Sequence, residues 1–210
     1  LAALLVATAA LAKVVTAPTA RPVLALVSGL GYGFAATIRP VDALAFALPA
    51  GVWYLTRALR DRGRLRDLLA AGFGVALPLA VLFWYNARTT GAPLVFGYDV
   101  LWGQAHSLGF HSAPWGPVHT PARGLELVNL YFLRLQTYLF ESPVPSLLPA
   151  LAALALAPAL SAFDRLLLAS SGLLVGMYFA YWHDGFFLGP RFLFPLTPVL
   201  VLWTVRLPGL

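Results

Sequence analysis

The stretch GLGYGFAATIRPVDALAF (residues 29–46) joins two long apolar runs through an Arg-Pro pair, and it indicates the fold of the chain. A second stretch, YWHDGFFLGPRFLFPLTP (residues 181–198), places Pro190-Arg191 at the junction of two further apolar runs. A guanidinium group at such a junction is costly unless it faces water or an anion. The two stretches therefore predict membrane helices whose ends carry arginines suited to an anionic head group.

Composition places the chain among helical membrane proteins. Hydrophobic residues make up 60% of it and charged residues only 10%, whereas about 25% of a soluble domain is charged. The apolar runs are continuous, unlike the alternating pattern of a membrane barrel. We therefore predict an all-α, polytopic transmembrane bundle that forms a single domain over residues 1–210. The absence of cysteine excludes disulfides and thiolate metal sites.

Seven apolar runs are close to the roughly 17–25 residues that span a bilayer. They lie at about 1–16, 23–38, 41–56, 68–86, 144–160, 166–182 and 192–206. The first run starts at Leu1 with no preceding Met or charged segment, which is not typical of a signal peptide. We therefore expect this chain to be part of a longer protein with one or more spans upstream.

The cations predict the orientation of these spans. Five of the fourteen Lys and Arg residues lie in the short loop RALRDRGRLRD (residues 57–67). The positive-inside rule places this loop in the cytoplasm, and topology explains the net charge of +6 better than nucleic-acid binding does. Nine cations then lie inside and five outside. The outer five are Arg39, Arg88, Arg123, Arg134 and Arg191.

This count requires that residues 124–141 do not cross the membrane. The polar residues from Glu126 to Glu141 fall on one half of a helical wheel, opposite Leu, Tyr, Val and Phe. A helix of this kind favours the plane of the interface. If it crossed instead, the last three segments would invert, and Arg39 and Arg191 would face opposite sides.

The preceding polar region, residues 87–123, is predicted to be an ordered extracytoplasmic loop. It is rich in Gly and Pro but also in aromatic residues, which are scarce in disordered segments. Its aromatic residues suit either an interfacial belt or a platform for a sugar ring. Tyr98, Trp102 and Trp115 are the candidates for sugar contact because they lie within the loop.

Each arginine of the two Arg-Pro stretches has two interpretations. Arg39 can be an anchor paired with Asp42 one helical turn on, or it can hold a lipid phosphate with its two-pronged guanidinium. The neighbouring Gly29 and Gly33 indicate close helix packing rather than a nucleotide loop. Arg191 lies near a helix N-terminus, which also favours anions; the alternative is a salt bridge with Asp184.

His183 and Asp184 follow an aromatic run at the outer surface and are candidate substrate contacts or acid–base groups. Together with His106, His111 and His119 they could be drawn as a divalent metal site. The loop spacing H-x4-H-x7-H matches no compact ligand pattern, so we predict no metal and no other cofactor. No pair of carboxylates identifies a catalytic base.

Three stretches together resemble a known family. They are GFAATIRPVDAL (33–44), FWYNARTTGAPLVFGYD (83–99) and GPRFLFPLTPVL (189–200). This arrangement resembles the middle and later parts of bacterial GT-C membrane glycosyltransferases, the group that includes protein O-mannosyltransferases and aminoarabinose transferases. The resemblance implies a multi-pass inner-membrane enzyme that transfers sugar from a polyprenyl-phosphate-linked donor on the extracytoplasmic face.

The resemblance also implies roles for individual residues. Arg39 and Arg191 would contact the donor phosphate, and an essential acidic residue would lie in a first outer loop. This sequence has no counterpart of that residue, so we expect the catalytic carboxylate upstream of Leu1. The alternatives are a transporter or flippase of a lipid-linked or anionic solute, and a membrane scaffold. The sequence does not specify the sugar, the acceptor or the oligomeric state.

Overall fold

The computed structural model describes residues 1–112, 115–183 and 190–209. Over these residues the chain is helical and contains no strand, which confirms the predicted all-α class. The α-helices are α1 (Ala2–Thr16), α2 (Pro22–Ile38), α3 (Pro40–Arg60), α4 (Leu65–Thr90), α5 (Gly97–Trp102), α6 (Pro121–Tyr138), α7 (Leu148–Leu156), α8 (Ala162–Phe179) and α9 (Thr197–Thr204). Short 3-10 turns lie next to several of them.

The chain divides into two compact units. The first unit contains Leu1–Leu101 together with Ala162–Leu174, and the second contains Trp102–Ser161 together with Val175–Leu210. Helix α8 contributes its first part to the first unit and its last turns to the second. The predicted outer loop is likewise shared, because α5 belongs almost wholly to the first unit and the residues after it to the second.

Two of the described helices are long and apolar enough to cross a membrane, namely α4 with the turn before it (Arg62–Thr90) and α8. Few residues of α4 are buried, and Leu69, Phe73 and Val81 are each at least 60% exposed. A soluble core helix would bury such side chains, so their exposure favours contact with lipid. Helices α1 and α2 are apolar but shorter.

Two of the predicted spans, residues 144–160 and 192–206, contain shorter helices than the sequence suggested, whereas α3 is longer than its predicted span. Helix α7 has nine residues and α9 has eight, or about 14 Å and 12 Å at 1.5 Å per residue, against a hydrocarbon core of about 30 Å. Prolines explain the length of α7: Pro149 lies in its first turn, and Ala157, which precedes Pro158, is extended. The seven-span arrangement therefore stays a prediction.

Glycines allow α2 and α4 to pack backbone against backbone. A Cβ atom added at Gly29 would collide with the Ala71 carbonyl of α4, and one at Gly33 would lie 2.7 Å from the Val75 carbonyl oxygen. On the other helix, a Cβ atom at Gly74 would lie 2.6 Å from the Leu26 carbonyl oxygen. The sequence prediction that these α2 glycines serve helix packing is confirmed.

A buried ion pair lies where α2 starts and α4 starts, and it connects the turns that precede these two helices. Arg64 and Asp67 are 3% and 1% exposed, and their side chains lie 3.4 Å apart. Arg64 also donates from Nη2 to the Ala17 carbonyl at 2.7 Å, and Asp67 accepts from the Arg21 amide at 2.7 Å. The sequence analysis counted Arg64 only as a topology signal, whereas in the fold it ties the α3–α4 turn to the α1–α2 turn.

Helix α6 has the amphipathic character that the sequence predicts, but it starts three residues earlier than expected. Its buried residues are Gly124, Leu127, Val128, Tyr131 and Leu135, which share one face at helical spacing. The Thr120 side chain accepts a hydrogen bond from the Arg123 amide and caps the helix start. Its proposed position in the plane of the interface stays a prediction.

Substitution of Gly29 by Ala should disrupt the α2–α4 contact. Because the new methyl group would meet backbone rather than a movable side chain, we expect the free energy of unfolding to fall by about 2 kcal/mol. Titration with SDS of the protein in mild-detergent micelles measures this. Gly51→Ala on α3 and Gly72→Ala on α4 are matched controls, since a Cβ at either position meets nothing within 4 Å. Equal stability of all three variants would contradict the packing role.

Candidate functional site

In the second unit, the predicted outer loop is attached to the end of α8. The Gly109 amide donates to the Ala180 carbonyl at 2.7 Å, and Leu108 forms a single β-bridge with Tyr181. Gly109 has a φ of +124°, a conformation that strongly favours glycine. This attachment brings the loop's aromatic side chains to the residues that follow α8.

Three tryptophans and a histidine form the first half of a chain of rings. The Trp102 and Trp115 ring centroids lie 5.3 Å apart, and Trp115 and Trp182 lie 5.0 Å apart. Trp182 is in turn 5.6 Å from the ring of His106. Trp102 and Trp115 are about half exposed, while Trp182 is buried. The exposed pair therefore presents aromatic surface supported from below by a buried ring.

Tyr181 links this half to the rest of the chain of rings. Its hydroxyl lies 3.2 Å from Nδ1 of His106, and its ring centroid lies 5.7 Å from that of Phe192. Phe192 also contacts Tyr178 of α8, at 4.9 Å between centroids. The residue after Arg191 thus occupies the middle of the network.

His183 lies between Phe192 and a tyrosine of α6. Its ring centroid is 4.8 Å from that of Phe192 and 4.8 Å from that of Tyr131. The Tyr131 hydroxyl lies 3.4 Å from Nδ1 of His183. Both residues are buried, with Tyr131 0% and His183 4% exposed. A buried imidazole next to a phenol can exchange a proton with a ligand that reaches it.

Two arginines flank these rings. The guanidinium carbon of Arg191 lies 5.6 Å from the centroid of Phe192, and that of Arg134 lies 5.5 Å from the centroid of Tyr131. Both distances are typical of cation–π contacts. Arg191 is exposed and Arg134 half-buried. We call the whole set the histidine–aromatic cluster: Trp102, His106, Trp115, Tyr131, Arg134, Tyr178, Tyr181, Trp182, His183, Arg191 and Phe192.

The cluster unites four of the residues that the sequence singled out: Trp102, Trp115, His183 and Arg191. Tyr98 belongs to the first unit, where it stacks on Phe96 with centroids 5.3 Å apart. Asp184, the proposed partner of Arg191 in a salt bridge, lies outside the described residues.

Arg39 also belongs to the first unit, where it joins α2 to α3. Its Nε lies 3.0 Å from Oδ2 of Asp42, and the arginine side chain is 33% exposed while that of Asp42 is 3% exposed. The anchoring pair that the sequence suggested therefore forms. The phosphate contact stays a prediction. Because Pro40 starts α3, Arg39 and the basic residues at Arg57 and Arg60 lie at opposite ends of one helix.

Sequence reasoning missed several members of the cluster. Tyr131 and Arg134 lie one helical turn apart on α6, but the sequence analysis treated that helix only as an interfacial element. Tyr181 and Phe192 were assigned to the ends of spans. For Tyr181 and Phe192 the available signal was position, because Tyr181 lies two residues before His183 and Phe192 directly follows Arg191.

His119 is fully buried beside the cluster's loop. Its ring lies 5.3 Å from that of Phe110 and 6.5 Å from that of His111. Among the described residues, neither ring nitrogen has a partner at hydrogen-bond geometry. Burial lowers the pKa of His119, and the charges of His111 and Arg123 lower it further, while the backbone of Phe179 acts in the opposite direction.

Over the residues that the structure describes, no group of three or more His, Asp or Glu side chains is placed to hold a metal ion. His106 and His183 belong to the cluster but are engaged by tyrosine hydroxyls. Both ring nitrogens of His111 lie within 3.1 Å of backbone carbonyls, those of Ser107 and Ser112.

The fold and the cluster together define a helical protein with an aromatic, arginine-flanked site next to apolar helices. No protein-family model, characterised protein or solved structure matches the chain. The function must therefore be argued from the chemistry of the cluster itself.

The buried neutral imidazole of His119 makes the loop sensitive to acid. Because its pKa is lowered in the fold, the unfolded loop binds the proton more readily, so the folded loop loses stability as the pH falls below about 6.5. We expect hydrogen–deuterium exchange of the peptides containing His111 and His119, corrected for intrinsic rates, to accelerate between pH 7.5 and pH 5.5. The His119→Leu variant should show a smaller acceleration. The same acceleration in both proteins would contradict this role.

Proposed function

We propose that this chain belongs to an integral-membrane glycosyltransferase that takes a sugar from a polyprenyl-phosphate-linked donor. The observation that carries the proposal is the histidine–aromatic cluster. Trp102 and Trp115, from the outer loop, meet His183 and Arg191, from the stretch around residue 190, through unbroken ring contacts. The protein would be a multi-pass protein of the bacterial inner membrane, with the cluster on its extracytoplasmic side.

The rings suit the sugar part of such a donor. A pyranose has apolar C–H faces and a polar edge, so it packs on exposed aromatic surface while its hydroxyls seek hydrogen bonds. Trp102 and Trp115 are 48% and 46% exposed and offer such a surface. The His106–Tyr181 pair lies behind them, connected through Trp182, and supplies hydrogen-bonding atoms in the same network. Recognition of this mixed kind is typical of ligand sites that are mostly apolar.

Arg191 suits the phosphate. Its guanidinium can hold two phosphate oxygens at once, and the neighbouring Phe192 ring supports its position. Arg39 has the same capacity in the first unit, because its salt bridge to Asp42 leaves a third of the side chain exposed. The proposal requires both arginines to face the extracytoplasmic side.

The proposed reaction is a displacement at the anomeric carbon. The acceptor oxygen bonds to that carbon, the bond from carbon to the phosphate oxygen breaks, and the polyprenyl phosphate leaves with the electron pair. The acceptor proton passes to a base, for which the resemblance implies a carboxylate outside this chain. Arg191 would stabilise the charge that grows on the leaving phosphate, an effect that is strongest where water is excluded.

His183 has a separate role in this proposal. It is buried between Tyr131 and Phe192, and the same ring contacts connect it to the more exposed Trp102 and Trp115. From that position it would hydrogen-bond a sugar hydroxyl or the phosphate rather than act from solution. Asp184, the other candidate substrate contact of this stretch, stays a sequence prediction.

Replacement of Arg191 by Ala should lower turnover by about 100-fold, the effect of removing one preorganised charge-stabilising group. The assay is conversion of a radiolabelled polyprenyl-phosphate sugar in membranes that contain the protein as its cell produces it. Arg191→Lys should recover only part of the activity, because the lysine ammonium keeps the positive charge but cannot hold two phosphate oxygens in the bidentate geometry of a guanidinium. Membrane insertion should be normal in both variants.

Arg88→Ala is the matched control, because it removes another predicted outer arginine, which lies on α4 in the first unit and is not a member of the cluster. We expect its turnover to stay within about twofold of the parent. Unchanged turnover of Arg191→Ala would remove this residue from the mechanism. Movement of intact donor across sealed vesicles, with no donor consumed, would instead identify a transporter or flippase.

A further inference from the structure

The first unit contains a groove lined by α3 and the first turns of α8, with a volume of about 640 Å³. Three arginines are among its lining residues: Arg165 from the first turn of α8, and Arg57 and Arg60, which lie at the end of the groove formed by the last turn of α3. This end is opposite to Arg39 along α3. The groove therefore does not belong to the proposed sugar site.

The rest of the groove is apolar. Leu48 and Val52 line it from α3, and Leu166 and Leu173 line it from α8. Leu48 and Val52 are 49% and 53% exposed, so both present free apolar surface. Twelve residues separate Leu48 from Arg60, which corresponds to about 18 Å of helix. This length is close to one leaflet of a hydrocarbon core that is about 30 Å thick.

The two arginine charges at the α3 end of the groove have no carboxylate partner in the part of the chain that the structure describes. Among the described residues, neither Arg57 nor Arg60 forms a salt bridge. Arg57 instead lies over the ring of Trp53, with its guanidinium carbon 5.8 Å from the centroid. The nearby Asp61 is engaged by the Gly63 amide and lies 3.9 Å from Arg64. Positive charge therefore remains available where the apolar groove opens.

We propose that this groove binds an anionic diacyl phospholipid of the cytoplasmic leaflet. Arg57 and Arg60 hold its phosphate, and the acyl chains lie along the apolar part. Trp53 lies at the boundary between the two, the depth at which tryptophan is enriched in membrane proteins. Charge complementarity selects an anionic over a zwitterionic lipid, and basic pockets between helices on this side of a membrane recognise such head groups.

The test is native mass spectrometry of the intact protein in detergent, titrated with phosphatidylglycerol or with phosphatidylcholine of the same chains. The parent should retain phosphatidylglycerol with at least about tenfold preference. Arg57→Gln/Arg60→Gln should reduce that retention by about tenfold or more. Because the measurement is made in detergent, a change of membrane orientation does not affect it.

Arg62→Gln/Arg66→Gln is the matched control, since it removes the same charge from the same loop but neither residue lines the groove. It should keep the preference for phosphatidylglycerol. Equal losses in both double variants would show that only the diffuse charge of the loop attracts lipid, and would overturn the proposal. The absence of any preference in the parent would do the same.

A second variant keeps the test valid if loss of two arginines impairs folding. Ala169 is exposed and lines the apolar part of the groove, so Ala169→Phe fills the space without a change of charge. It should lower phosphatidylglycerol retention by about tenfold, with an unchanged size-exclusion profile. Inorganic phosphate at the lipid's concentration should not displace the lipid. Full retention by Ala169→Phe, or displacement by phosphate, would contradict a diacyl lipid in the groove.

Discussion

A guanidinium group beside apolar helices costs free energy, and this cost explains where the arginines of this protein lie and which partners they have. Several of its arginines are held by a specific partner at or near the end of a helix or turn. Arg64 is buried and bound by Asp67, Arg39 is paired with Asp42, and Arg191 lies over Phe192. Such partners reduce the penalty of low-polarity surroundings without removing the charge. Both anion sites that we propose lie at such helix ends.

Arginines near the α3–α4 turn and arginines in the second unit differ in how their charge is balanced. At the α3–α4 turn, Arg64 and Asp67 satisfy one another and the backbone of the α1–α2 turn, so they stabilise the fold. Arg57 and Arg60, only a turn or two away, form no salt bridge among the described residues, and we propose a lipid phosphate as their partner. In the second unit Arg134 and Arg191 lie over aromatic rings, which orient a cation without neutralising it. The proposed sugar-phosphate site depends on that difference.

Periodicity and helix-boundary signals predicted much of the fold. Continuous apolar runs indicated helices, and the predicted spans at 23–38 and 41–56 start within one residue of α2 and α3. The spacing of Gly29 and Gly33 indicated a close helix contact, although their partner α4 could not be derived from the sequence. Helix length was harder to predict, because an apolar run such as residues 144–160 does not reveal that its prolines leave only nine helical residues.

The candidate site was also predictable only in part. Residue type and loop position identified Trp102, Trp115, His183 and Arg191. Tyr131 could not be recognised, because its role depends on contacts with His183 and Phe192 that lie 52 residues or more away along the chain. The link between the loop tryptophans and the residues after α8 was hidden as well, because it depends on the hydrogen bond from Gly109 to Ala180. The burial of Arg64 was equally hidden, since an arginine within a basic loop is normally solvated.

The account depends most directly on the side of the membrane that Arg39 and Arg191 face. The chain has no cysteine, so Arg39→Cys, Arg191→Cys and Arg62→Cys each introduce a single reactive thiol. With a membrane-impermeant maleimide on intact right-side-out vesicles, we expect labelling at positions 39 and 191, and labelling at 62 only after permeabilisation. Labelling of positions 39 and 191 from opposite sides would contradict the proposed site.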